Sequence, residues 1–324
     1  MVSIRYALGS KSLETKMQFF TSLRKPLMLK NSPNTSQKYN ENLAGILCFA
    51  FAMFLFSAVD TTAKLLTESF HPIQVAWSRQ IGLLLGILIL LIVKGTVILN
   101  TRHPWLQIGR GLLAGTSALL FIFAISVVPI ADAVAVSFVA PFFVTILGAF
   151  ILREHVGVRR WTAITIGFVA CLIMLRPGLG VFNPAVILVV IAAIAYASRQ
   201  IISRILSSSE SVTTTVSYTG LAASVLLTLP LPFVWRTPVW GSEIVLLLVL
   251  AVLAAFAEIM VIKALELSQA VVLAPIHYTL LIWGTIYGWF VFDQLPDKWT
   301  WFGASIIFVT GIYMVRREWA IKNL

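Results

Sequence analysis

An all-α polytopic membrane protein of ten transmembrane helices, arranged as two five-helix inverted repeats, is the fold class this sequence predicts. Three observations carry it. The chain is 59% hydrophobic and 11% charged over 324 residues, with a mean hydropathy of +0.93, outside the range of water-soluble domains. Its apolar residues gather into ten runs of the length that crosses a bilayer core. Residues 124–176 are echoed without a gap by residues 264–316. Thr145/Thr285, Gly148/Gly288, Trp161/Trp301, Met174/Met314 and Arg176/Arg316 all coincide at an offset of 140.

The ten runs are 44–66, 73–93, 105–128, 131–152, 158–175, 184–203, 212–235, 243–265, 270–292 and 298–315. Helices are expected because lipid offers backbone groups no hydrogen bonds. Runs such as Ile81–Val93 lack the alternation of a β-barrel strand. Five runs per repeat is an odd number, so the second copy enters the membrane inverted. Inverted repeats around a midplane site characterise alternating-access carriers. Repeat one is read as 43–177 and repeat two as 183–317, joined by a Pro/Gly-rich turn. Residues 1–42 are polar and basic and read as a disordered cytoplasmic tail. Residues 318–324 read as a short cytoplasmic tail.

Lys and Arg outnumber Asp and Glu by 24 to 13, a net charge of +11. This excess follows topology and not a nucleic-acid footprint. Most basic residues fall in the tail, the even-numbered loops and the C-terminus, while only Lys64, Arg176, Arg236 and Lys298 fall on the opposite side. The positive-inside rule then makes both termini cytoplasmic. The bilayer is the expected surroundings and a bacterial inner membrane the expected location. A homodimer is a possible assembly. The two cysteines, Cys48 and Cys171, have no paired spacing and give no disulfide or metal argument.

Charges inside a span are costly and therefore mark function. Asp60 and Arg79 each lie six residues from the outer end of consecutive spans, ~9 Å deep, so an Asp60–Arg79 ion pair is expected. Lys64, four residues after Asp60, competes for it. The second repeat has Gln200 and Thr219 at those positions. Its own candidates are Glu258 and His277, at matching depth ~10 Å from the inner side, and their repeat counterparts are Ala118 and Ser137. A Glu–His pair would exchange a proton near neutral pH. Trp77, Phe138, Tyr196, Tyr278, Trp283 and Tyr287 are candidates for lining a cavity that stacks on a flat ligand. Trp105, Trp161, Trp240, Trp299 and Trp301 read as interfacial belt.

No enzyme motif is present: there is no P-loop, HExxH or GxSxG. No cofactor or metal is implied. The loose dinucleotide-like stretch from Gly109 to Ala114 lies inside span three, where Gly111 and Gly115 read as helix-packing residues.

Three stretches resemble the drug/metabolite transporter superfamily in its ten-helix EamA form. They are Ser57 to Lys64, Gly148 to Pro177, and Ala274 through Arg317. Gln294 departs from the pattern, because the repeat places Glu154 there. The resemblance implies a secondary transporter of a small organic substrate. The Asp-x3-Lys of span one is similar to carriers of larger metabolites, S-adenosylmethionine and riboflavin among them. An aromatic-rich cavity favours riboflavin uptake as the leading expectation. Amino-acid, S-adenosylmethionine or drug export are alternatives within the superfamily. A non-transporting membrane enzyme or assembly protein is the alternative class.

Overall fold

Helix boundaries in this protein follow its turn residues. The computed structural model describes residues 35–152, 158–175, 183–206, 209–267, 276–277 and 279–322. Residues Asn42–Leu324 form one compact unit and Met1–Glu41 another. Tyr278 and residues 176–182 lie outside the described residues.

In chain order the helices are α1 (Thr35–Thr67), α2 (Pro72–Lys94), α3 (Pro104–Ile125), α4 (Ile130–Ser137), α5 (Ala140–Ile151), α6 (Val158–Leu175), α7 (Val186–Leu206), α8 (Val212–Thr228), α9 (Ser242–Leu267), α10 (Thr279–Phe292) and α11 (Lys298–Lys322). Before α2, the His71 imidazole accepts the Ile73 N–H at 3.3 Å, with Pro72 in the first turn, where its missing N–H costs nothing. Gly95 closes α2 at φ +68, a conformation glycine adopts freely. Ser211 caps α8 by accepting the Thr214 N–H at 3.0 Å, as short hydroxyl side chains do at helix starts. The fourth run is two helices, broken at Phe138–Val139. Pro141, in the first turn of α5, has no N–H to return to the Ser137 carbonyl.

Seven segments among the described residues are long and apolar enough to cross a membrane: Leu43–Thr67, Pro72–Leu99, Pro104–Ile125, Ile130–Ile151, Val186–Leu206, Val212–Phe233 and Ser242–Val261. They match seven of the ten expected runs to within a few residues. The 270–292 run lies partly outside the described residues, which leaves Thr279–Phe292, 14 residues long. The runs at 158–175 and 298–315 are helical as α6 and α11. Helix α1 starts at Thr35, inside the stretch expected as disordered tail, because extending an existing helix outward needs no new nucleus. Helix α11 likewise continues to Lys322. Large apolar side chains face outward, Phe150 and Phe290 each 74% exposed. A surface of that kind suits lipid and not water.

Packing follows the repeat. Helix α3 lies against α7 and α8, and α9 lies against α2. Under the 140-residue offset, α3 against α8 and α9 against α2 are the same contact with the halves exchanged. Helices α4 and α5 pack on α7, and α10, the counterpart of α5, meets α1, where Trp283 sits edge-on to Phe54 at 5.1 Å. Two further contacts, α2 with α8 and α6 with α11, join each helix to its own counterpart. Val59, Val75, Ile122, Val136, Val189, Leu227 and Leu250 form the main buried core. Gly111 and Gly115 do serve packing: a Cβ at Gly111 would meet Ala222 Cβ at 2.6 Å, and one at Gly115 would meet Ala223 Cβ at 3.2 Å.

Candidate functional site

Two polar nests occupy repeat-related places in the bundle. The first joins α1 and α2. Arg79 Nη1 lies 3.5 Å from Asp60 Oδ1, and both side chains are largely buried, 19% and 8% exposed. The guanidinium also stands over the Phe56 ring at 5.7 Å. A pair so enclosed is costly to break, because removing one partner strands the other in low dielectric.

Lys64 does not compete for Asp60. Its ammonium donates to the Val128 carbonyl at 2.6 Å and stands 5.2 Å from the Phe292 ring centre. The carboxylates that act on its charge are Asp132 and Glu68. One turn along α1 from Asp60, the side chain points to the 126–129 turn instead.

The second nest gathers around α7. Arg199 stands over the Tyr196 ring at 4.9 Å, and the Tyr196 hydroxyl accepts from Gln200 Nε2 at 3.2 Å. Arg110 of α3 reaches in: its Nε donates to Ser203 Oγ at 2.7 Å and its Nη1 to the Thr219 hydroxyl and to the Thr215 carbonyl. Arg199 and Glu258 are the charges that act on Arg110. Tyr196 is the counterpart of Phe56, Gln200 of Asp60 and Thr219 of Arg79. Each nest thus sets a guanidinium over the same aromatic position, and in the second the guanidinium groups come from α3 and α7.

Glu258 and His277 do not pair. No hydrogen bond or ion pair joins them among the described residues. The His277 ring lies between Phe49, at 6.3 Å, and Phe138, at 6.2 Å, while Glu258 faces the Arg110 side. Equal depth fixed the height of the two groups and said nothing of which way each helix face points.

The aromatic candidates divide. Tyr196 belongs to the second nest and Phe138 contacts His277. Trp283 and Tyr287 pack on Phe54, at 5.1 and 5.8 Å. Trp77 stands apart at the 68–71 end of the bundle. Its indole N–H donates to Thr228 Oγ1 at 2.9 Å and its ring meets Trp235 edge-on at 5.9 Å. Ser137 donates to the Val134 carbonyl of its own helix at 2.7 Å. Ser57 and Thr285 hydroxyls, on α1 and α10, are buried without a partner among the described residues.

Arg110 and Arg199 are the functional candidates that sequence reading missed, because both were assigned to loop ends. Arg110 lies seventh in α3 and Arg199 seven residues before the last of α7. The depth count that selected Asp60 and Arg79 would have selected Arg110 as well.

Comparison with known proteins decides the family. The profile of the EamA-like transporter family matches this sequence twice, over residues 43–176 and 183–317. The chain belongs to the EamA-like transporter family. This EamA-like protein is 30% identical to the S-adenosylmethionine uptake transporter of Rickettsia prowazekii over 277 residues, 85% of this chain and 94% of the relative. It is 32% identical to a riboflavin transporter of Vibrio cholerae over 229 residues, 69% of this chain and 75% of the relative. A solved crystal structure aligns with a TM-score of 0.52 at 18% identity, covering 88% of this chain and 99% of the other, a likeness of fold alone. This EamA-like protein is a multi-pass membrane transporter, and its relatives are named transporters, not enzymes.

Proposed function

We propose that this EamA-like protein is a secondary carrier that takes up a small organic zwitterion by alternating access, with S-adenosylmethionine the leading substrate. Ten spans in two inverted halves rock about the midplane, and both termini face the cytoplasm of a bacterial inner membrane. The end bearing loops 95–103 and 209–211 is then cytoplasmic, and the end bearing loops 68–71 and 229–241 is outer. The observation that carries the reading is the presence of charged nests inside both halves of an otherwise apolar bundle. A neutral cargo gives no reason to bury Arg79, Arg110, Arg199 and Glu258 among helices, where each is costly. Two groups of relatives bear the names of S-adenosylmethionine and riboflavin transporters; the first includes a match of 30% identity over 85% of this chain, and the second includes one of 32% over 69% and one of 25% over 89%.

In this scheme the Asp60–Arg79 pair and Lys64 secure the outer half. The aromatic groups Phe138, Tyr196 and Trp283 line the path for a flat heterocycle, and Glu258 and His277 border it from the inner side. Riboflavin is the second reading, favoured by the aromatic residues and the riboflavin-transporter relatives. The deciding experiment is uptake into liposomes containing the purified protein, using radiolabelled S-adenosylmethionine and radiolabelled riboflavin. Saturable S-adenosylmethionine uptake that excess unlabelled riboflavin does not block is the expected result. Riboflavin uptake alone would install the second reading, and accumulation of neither above protein-free liposomes would overturn both.

A further inference from the structure

The second nest holds two guanidinium groups where the first holds one, and it has no carboxylate at the position that corresponds to Asp60. Asp60 neutralises Arg79 in the first nest. At the counterpart position stands Gln200, whose amide is turned to the Tyr196 hydroxyl. Among the described residues neither Arg110 nor Arg199 forms an ion pair with a carboxylate. Glu258 acts on Arg110 through space but does not bond it.

The two guanidinium groups are also differently held. Arg110 is fixed by Ser203, Thr215 and Thr219, so its donors are directed by a rigid frame. Arg199 is positioned by stacking on Tyr196, and its Nε is buried with no hydrogen-bond partner among the described residues. A buried N–H of a cation left without an acceptor carries a large desolvation cost. Two positive charges against one carboxylate leave the nest net positive inside a bundle of low dielectric. The acceptor it lacks is a planar oxyanion, which a guanidinium fork matches in shape.

We propose that Arg110 and Arg199 bind the carboxylate of the transported molecule, which takes in the second half the place that Asp60 holds in the first. The inference rests on the carrier reading and narrows it to cargo bearing a free carboxylate, such as the amino-acid end of S-adenosylmethionine. Riboflavin, which has no carboxylate, would leave the nest unfilled. Arg199 is the better residue to change, because Arg110 also ties α3 to α7 and α8.

The test measures binding and transport separately. Purified protein in a detergent of neutral headgroup is titrated with S-adenosylmethionine and with its carboxyl methyl ester, and binding is followed by the rise in melting temperature. Wild type is expected to bind the ester at least about tenfold more weakly. Arg199→Gln should reduce S-adenosylmethionine affinity to that of the ester and abolish the difference, and Arg199→Lys should recover part of it. Equal binding of acid and ester by wild type, no binding of either, or full discrimination retained in Arg199→Gln would overturn the proposal. Binding that discriminates without uptake into liposomes would instead sink the carrier reading and leave the carboxylate subsite standing.

Discussion

Gly82 of α2 lies directly against the backbone carbonyl of Ala251 in α9, so close that an added Cβ would overlap the Ala251 oxygen. Its repeat counterpart is Gly111 against Ala222, with glycine and alanine exchanged between the halves: position 82 corresponds to 222, and 251 to 111. Both copies of the contact therefore keep one glycine, contributed by whichever helix comes from the first repeat. Close backbone approach of this kind is how membrane helices gain dispersion energy without a hydrophobic driving force.

Gly82→Leu should destabilise the protein by about 1–3 kcal/mol, the usual cost of overpacking, because the obstacle is backbone and cannot swing away. Gly220→Ala is the control. Its new Cβ meets the Ile87 Cδ1 tip, which can rotate, so the loss should be small. Melting temperatures of the purified variants in one detergent would check the ranking. Equal melting temperatures for the two variants would refute it.

Asp60→Asn should cost about 3–5 kcal/mol by stranding Arg79, and Arg79→Gln should strand Asp60 likewise. The exchange Asp60→Arg with Arg79→Asp should recover part of the lost expression and uptake. Single variants that fold and transport like wild type would show that the pair neither clamps nor gates.

Glu258→Gln and His277→Gln should act independently. Their combined effect on unfolding free energy should equal the sum of the single effects within about 0.5 kcal/mol, as for groups that share no contact. A larger coupling in urea unfolding would restore the proton-exchanging pair that equal depth suggested.

The loop carboxylate of Glu210 links stability to pH. Partial desolvation pushes its pKa up, but hydrogen bonds from the Arg102 and His103 N–H groups and the Thr101 hydroxyl, with the charge of His103, outweigh it and hold the carboxyl below the usual range. The Arg102 N–H donates to Oε1 at 2.8 Å. A lowered folded pKa gives stability that is present above the ordinary carboxylate range and fades as pH falls through the folded value. Glu210→Gln should therefore lower the melting temperature at neutral pH and leave it nearly unchanged in acid. An equal drop at both pH values would assign the effect to lost shape and not to charge.

Most of the bundle was legible because span length, repeat offset and turn residues are one-dimensional signals. The seven helices long and apolar enough to cross a membrane and the Asp60–Arg79 contact came from counting along the chain. The direction in which each side chain points around its helix is not such a signal. For that reason Lys64 was offered Asp60 and Glu258 was offered His277 as a neighbour, and neither contact forms among the described residues. Arg110 escaped notice because a basic residue near a span end reads as a topology marker, although its partners Ser203 and Thr219 arrive from α7 and α8.

Gln74 of α2 reads the chain of the 229–241 loop without reading its sequence. Its amide accepts the Arg236 N–H at 2.9 Å and donates to the Arg236 carbonyl at 2.7 Å, so both bonds go to main-chain atoms. Any residue except proline can present that pair of groups. An insertion or deletion between Thr228 and position 236 would carry them out of register with the fixed amide. Related chains that keep a glutamine here should therefore drift freely in the composition of this loop while holding its length constant.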